Sequence, residues 1–185
     1  MNTKQIAVQA ANEISEVLSK VNSEEINELI NQIKSANNIF VCGAGRSLLM
    51  LRGLAMRLMH IGLKSHVVGD TVTPAFNEGD LLIVASGSGE TENLISIAKR
   101  AKNFGGQVAL LSIFPNSSIG TIADLVVKIP AYTDKLPESD ENVKGILPGG
   151  SMFEESVLIL SDSLIITLAD DVSLDQPFEN HANLE

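Results

Sequence analysis

Two short segments carry side chains suited to holding an anion, Gly43-Ala44-Gly45-Arg46-Ser47 and Ser86-Gly87-Ser88-Gly89-Glu90-Thr91. Each combines glycines, which allow unusual backbone angles and close ligand approach, with hydroxyls that donate hydrogen bonds. Each also follows a short apolar run and opens a helical pattern. In that setting backbone N–H groups and the positive end of the helix dipole hold negative charge. Nucleotides fit poorly. The phosphate loop of NTPases needs G-x-x-x-x-G-K-[ST], which does not occur, and the dinucleotide pattern G-x-G-x-x-G meets Leu48 or Glu92 where its last glycine belongs. A smaller phosphate compound, held by Ser47, Ser86, Ser88 and Thr91, fits better. At about 1.5–3 kcal/mol for each hydrogen bond to a charged group, a few such bonds supply several kcal/mol. Taken singly, either turn also has a plainer reading, with Ser88 and Thr91 serving as helix-start residues and Gly43 and Gly45 as turn glycines.

The elements around these turns set where they must lie. Ile6, Ala10, Ile14, Val17 and Val21 recur at helical spacing, and Ser23 is expected to cap a second helix bearing Ile26, Leu29, Ile30 and Ile33. Beyond them, short β-branched runs at Ile39–Cys42, His66–Val68, Leu81–Ala85, Val108–Leu111 and Leu125–Ile129 read as strands buried on both faces. Helical patterns are expected at Ser47–Ile61, Glu90–Phe104, Ser118–Ala123 and Ser151–Ala169. The alternation predicts an α/β fold: a three-layer αβα sandwich around a five-stranded parallel sheet, flavodoxin-like, preceded by N-terminal helices. One domain is expected, with helices at 1–36, the core at 37–170 and a tail at 171–185. In the doubly wound order 2-1-3-4-5, strands one and three are neighbours at the switch point, and both turns open into one crevice there. The polar stretch Ala131–Gly149 is long for a plain connector, and loops of that length are usually functional or disordered.

Composition removes several classes. Over 185 residues, 13 Lys+Arg against 23 Asp+Glu leave a net charge of −10, which disfavours nucleic acid and anionic membranes as partners. An anionic small ligand survives this test, because remote carboxylates are screened over roughly 8 Å at physiological salt. Mean hydropathy is high at +0.18, yet no stretch approaches the ~20 apolar residues of a membrane span. Met1 to Leu18 lacks a continuous apolar run, so a secretory leader is not expected. The one cysteine, Cys42, excludes an intrachain disulfide and suits a reducing cytoplasm; ending a buried strand, it reads as a core residue. The apolar surplus suggests a homo-oligomer. No histidine or carboxylate spacing of the H-E-x-x-H kind predicts a metal site.

The two turns, the Ala55-Met56-Arg57-Leu58-Met59-His60 helix, Pro148-Gly149-Gly150-Ser151-Met152-Phe153-Glu154 and the tail His181-Ala182-Asn183-Leu184-Glu185 together resemble the sugar isomerase (SIS) domain family over nearly the whole chain. The resemblance implies phosphosugar binding on an αβα sandwich, with Gly45, Arg46, Ser47, Ser86, Gly87, Ser88, Gly89, Glu90 and Thr91 around the ligand, no metal or nucleotide cofactor, and a tetrameric or related assembly. Its narrower features imply the reversible isomerisation of a 3-hexulose 6-phosphate to fructose 6-phosphate, a step of the ribulose monophosphate pathway. The carbonyl then moves between C3 and C2 through an enediol, and one group shuttles the proton. Two alternatives stay open: another phosphosugar isomerase, such as one for arabinose 5-phosphate, or a non-catalytic phosphosugar sensor.

The resemblance makes Glu154 the base. By spacing alone, Ser151-x-x-Glu154 is also a capping box, in which the glutamate merely reaches back to the helix start. In related isomerases a histidine, sometimes from a neighbouring subunit, assists at the substrate oxygens, which makes His60 and His181 candidates. His60 shares its helix with Arg52 and Arg57, all within an arc of about 140°. That stripe is either solvated or aimed at a partner's site, and His181 is otherwise an ordinary exposed tail residue. His66, in a short strand, reads as structural. Arg46 sits beside the phosphate turn, where it could equally bridge subunits or neutralise a carboxylate.

Overall fold

In the computed structural model, residues 1–133, 141–169 and 180–184 are described. Two helices come first, α1 (Thr3–Ser19) and α2 (Ser23–Ser35). Then follow β1 (Ile39–Gly43), α3 (Arg46–His60), β2 (Ser65–Val67), β3 (Leu81–Ala85), α4 (Glu92–Asn103), β4 (Gln107–Ser112), β5 (Leu125–Lys128) and α5 (Ser151–Ala169). The five strands are all parallel in the order β2-β1-β3-β4-β5, as the alternation of the sequence predicts.

Period-two alternation splits the strands between two cores. Ile39, Val41, Leu81, Ile83, Ala85, Ala109, Leu111 and Val127 pack with α2, α3 and α5 on one face. Phe40, Cys42, Leu82, Val84, Val108 and Leu110 pack with Leu94, Ala98 and Ala101 of α4 on the other. No helix among the described residues is long and apolar enough to cross a membrane.

The register matters most for function. Ile39 pairs with Leu81 and Gly43 with Ala85, so β1 and β3 end side by side. Both glycine-serine turns therefore start from neighbouring points on the carboxyl edge. Gly43 itself is required by crowding: a Cβ there would lie 3.0 Å from the Leu48 amide nitrogen and 3.1 Å from the Ala85 carbonyl oxygen.

Several local expectations need correction. The second helix is capped by Asn22, whose side chain accepts from the Glu24 amide at 2.8 Å; Ser23 is already helical. No helix forms at 118–123, although Ile122 and Ala123 donate back to Ile119 in a single turn. Gly120 is pressed against Pro115, whose carbonyl oxygen would be 1.9 Å from an added Cβ, so this turn is folded back on its own loop and cannot propagate. The fourth helix starts at Glu92, two residues after the expected Glu90, because Glu90 is engaged elsewhere. Within the long polar stretch, Ala131 forms an isolated parallel bridge with Val143. Residues 134–140 and most of the tail, 170–179 and 185, lie outside the described residues.

Candidate phosphosugar site

A cavity of about 230 Å³ opens at the carboxyl edge between β1 and β3. Ser47 from the first turn, Ser86, Gly87, Ser88 and Thr91 from the second, and Glu154 from α5 all line it. The topology thus brings together residues that lie far apart in sequence, and the two turns do share one crevice.

Hydrogen bonding sets the polarity of the second turn. The Ser86 hydroxyl oxygen accepts from the Gly89 amide at 3.1 Å, and the Ser88 hydroxyl oxygen accepts from the Glu90 amide at 3.2 Å. Each hydroxyl keeps its own hydrogen for donation, so both can serve an anion in the cavity. Gly89 has φ +64°, a left-handed conformation suited to glycine, which folds the turn tightly enough for these contacts. On the first turn, Gly45 holds φ 56° and ψ −133° immediately before α3, a region that side chains all but exclude. Gly45 and Gly89 shape the turns without being among the residues that line the cavity.

Glu154 projects from the first turn of α5. Gly150 is the residue before that helix, and its carbonyl accepts from the Glu154 amide at 3.0 Å, the first intrahelical bond. Ser151 is already helical, and its amide donates to the Pro148 carbonyl. The frame of a Ser151–Glu154 capping box is therefore absent. Instead the Glu154 carboxylate lies 2.8 Å from Arg46 Nε, and Arg46 Nη2 lies 3.4 Å from Glu155. Glu154 is 15% exposed in its side chain and Arg46 51%. Arg46 thus neutralises carboxylates of the facing helix, one of the roles left open by its position. Phe153, 1% exposed, anchors this end of α5 in the core and also lines the cavity.

The histidines lie elsewhere in the chain. His60 is the last residue of α3, whose first residue is Arg46, and 15 residues at 1.5 Å rise separate them by about 21 Å. His60 and His181 meet each other: their rings stack with centroids 5.0 Å apart, and Asn180 Nδ2 donates to the His60 carbonyl at 3.1 Å. Burial, then His181 and Arg57, lower the His60 pKa below 6.5. Within one chain neither imidazole is brought to Glu154. Arg52 is taken by Asp70 at 2.6 Å. His66 packs against Phe40 with centroids 5.1 Å apart, a structural setting. Cys42 is buried, and burial pushes its thiol pKa up to about 12.

Two parts of the site escaped the sequence reading. Thr133 lines the cavity although it sits at the start of the irregular stretch. The loop after β4, from Ile113 to Gly120, backs the serine turn, and its only signal was a polar Pro-Asn-Ser-Ser run at the carboxyl edge. Among the described residues, no three His, Cys, Asp or Glu side chains gather into a set able to hold a metal ion.

Comparison with known proteins agrees with this architecture. The SIS domain family model matches residues 32–143, more than half of the chain, and the chain belongs to that family. Within it, the chain is similar to a 3-hexulose-6-phosphate isomerase of Bacillus subtilis (strain 168), at 43% identity over all of both proteins. It is likewise similar to a 3-hexulose-6-phosphate isomerase of Mycobacterium gastri, at 41% identity over 94% of this chain and 86% of the relative. A crystal structure from Methanococcus jannaschii, described as inferring a molecular function of 3-hexulose-6-phosphate isomerase, superposes with a TM-score of 0.81 at 34% identity. That alignment covers 97% of this chain and 98% of the other. The matched family segment ends before Glu154.

Proposed function

We propose that this chain interconverts 3-hexulose 6-phosphate and fructose 6-phosphate. The observation that carries the proposal is the single cavity bounded by Ser47, Ser86, Ser88 and Thr91 on one side and by the Glu154 carboxylate on the other. The hydroxyls hold the phosphate, with the backbone of Gly45, Gly87 and Gly89 shaping the approach. Glu154 takes the proton from C2 of the 3-hexulose, and the C2–H electron pair forms the C2=C3 bond of an enediol as O3 gains a proton. The same carboxyl group then returns its proton to C3, the O2 proton leaves, and C2 becomes the carbonyl of fructose 6-phosphate. The step is redox-neutral overall and consumes no co-reactant. Arg46, paired with Glu154 in the free protein, keeps that carboxylate at the cavity wall and offers a cation to the enediolate oxygens once substrate is bound.

His60 and His181 act, in this proposal, from a neighbouring copy, because their own site is about a helix length away. Exposed apolar residues support a homo-oligomer, a tetramer by the family resemblance: Ile6 and Val8 on α1, Leu49, Met56 and Met59 on α3, and Ile159 and Ile166 on α5 are each at least 41% exposed. Such a soluble assembly of one domain per chain would work in the cytoplasm.

Replacing the base tests the mechanism. Glu154→Gln keeps shape and hydrogen-bonding capacity while removing the proton acceptor, and general acid–base catalysis typically contributes about 10²–10⁴ in rate. The variant is expected to lose at least about 100-fold in kcat while melting within a few degrees of the parent. Turnover close to that of the parent would eliminate Glu154 as the base.

A further inference from the structure

The Ser86–Thr91 turn presents donors to the cavity because its acceptors are held on the opposite side. The Gly87 carbonyl accepts from the Ile113 amide at 3.1 Å and from the Ser112 hydroxyl at 3.2 Å. The Gly89 carbonyl accepts from the Ile119 amide at 3.1 Å. All three donors belong to the end of β4 and the loop that follows it. These carbonyl oxygens, which would repel a phosphate, are thereby turned toward that loop.

Glu90 is the extreme case. A full negative charge lies one residue from the hydroxyls proposed to hold an anion, and at close range it would oppose binding. Its side chain is instead committed to the loop: Oε1 accepts from the Ser118 amide at 2.7 Å, and Oε2 accepts from the Ser118 hydroxyl at 2.6 Å. Ser118 is itself tied into the loop, since its carbonyl accepts from the Thr121 hydroxyl at 2.9 Å. Glu90 is not among the residues lining the cavity. The two Ser118 bonds, hydroxyl first, also hold the Glu90 carboxyl below its usual pKa, so the bonded form is the ionised one. A carboxylate so placed neither touches the sugar nor confronts its phosphate.

We infer that Glu90 and Ser118 form a clamp that fixes the anion-binding turn from behind, making Glu90 a positioning residue and the loop after β4 a working part of the site. This rests on the reading that the turn holds the sugar phosphate, and it adds a residue pair that acts on affinity without contacting the ligand. The geometry also accounts for Gly89. A Cβ there would fall 1.9 Å from Ser117 Oγ, so only glycine lets the turn lie this close to the loop.

The test uses the full chain and four variants, Glu90→Ala, Ser118→Ala, Ser118→Thr and the double substitution Glu90→Ala with Ser118→Ala. Three measurements are made: affinity for fructose 6-phosphate and for inorganic phosphate by calorimetry, amide hydrogen exchange of residues 86–91 in the free protein, and steady-state kcat and KM. Glu90→Ala is expected to weaken both ligands about three- to tenfold, the discounted weight of an exposed charge-assisted bond, and to speed exchange in the turn. Ser118→Ala, which keeps the amide bond, is expected to do the same to a smaller extent. Placed in the Glu90→Ala background, it should add nothing. Ser118→Thr should restore parental values, and kcat should change less than KM throughout. Tighter ligand binding by Glu90→Ala would overturn the clamp, as would parental affinity in Ser118→Ala alongside a loss in Glu90→Ala. Unchanged exchange in the Glu90→Ala turn would overturn it too. If the parent turns over no 3-hexulose phosphate while phosphate affinity and exchange follow the expected pattern, the proposed reaction falls and the clamp stands.

Discussion

Substituting Gly89 by alanine separates the cost of a backbone conformation from the cost of a close contact. At φ +64° any side chain meets a left-handed penalty of about 1–2 kcal/mol. The new methyl would also lie 1.9 Å from Ser117 Oγ and 2.4 Å from Ser117 Cβ, so Ser117 must move. Its hydroxyl oxygen now accepts from the Gly120 amide at 3.2 Å in a part-buried position, and orphaning such a donor costs about 1–3 kcal/mol. Gly89→Ala should therefore destabilise by about 2–5 kcal/mol, a large share of the ~5–15 kcal/mol that holds a domain together. Gly62 supplies the control: φ is +85° and no atom lies within 4 Å of an added Cβ. Gly62→Ala should lose only the backbone part, about 1–2 kcal/mol. Urea unfolding of the two variants at one protein concentration measures the difference, and titration with fructose 6-phosphate reads the turn itself. Gly89→Ala should also bind the sugar phosphate more weakly, while Gly62→Ala should bind like the parent. Equal destabilisation of the two, with parental affinity in Gly89→Ala, would refute the packing of the turn against the loop.

Two further outcomes follow from buried titratable groups. His60 is held neutral by burial, with His181 and Arg57 opposing its charge, so the unfolded chain binds the proton more readily than the folded one. Stability should accordingly be full above about pH 6.5, the ordinary histidine value. It should fall as pH drops toward the lowered folded pKa and flatten below that; denaturant unfolding from pH 8 to 5 should show this slope, and His60→Gln should flatten it. With its thiol pKa near 12 and 2% exposure, Cys42 should resist a thiol reagent at pH 8 in the native protein and react fully in denaturant. Rapid native labelling would contradict its placement in the core between sheet and α4.

The strands and the switch-point crevice were legible because their signal is local and strong. Leu81–Ala85 is an unbroken apolar run of strand length that fits a doubly buried strand, and the glycine-serine turns directly follow such runs. Helix starts were less legible. Asn22 and Ser23 are both good caps, and the choice depends on which backbone first turns helical. The 118–123 segment shows the limit of periodicity: its apolar spacing is helical, but Pro115 folded against Gly120 stops the turn, a contact with no sequence signature. Glu90 is a similar case. The resemblance places it around the ligand, while its carboxylate accepts from Ser118, 28 residues on, a bond that its sequence neighbours do not signal. Glu154 reads as a capping-box glutamate by spacing and as a base only through the family resemblance, and the helix start at Ser151 excludes the capping frame.

A Glu154 carboxylate that moves a proton between C2 and C3 of a phosphorylated hexulose must also exchange that proton with solvent. Proton NMR of fructose 6-phosphate incubated with the protein in deuterium oxide tests it most directly. The C3 proton signal should disappear with the C1 protons retained, and no loss at C3 should occur with Glu154→Gln. Exchange at C1 alone would point to an aldose–ketose isomerase, and binding without any exchange would leave a phosphosugar sensor; either result would rule out proton transfer between C2 and C3 by Glu154.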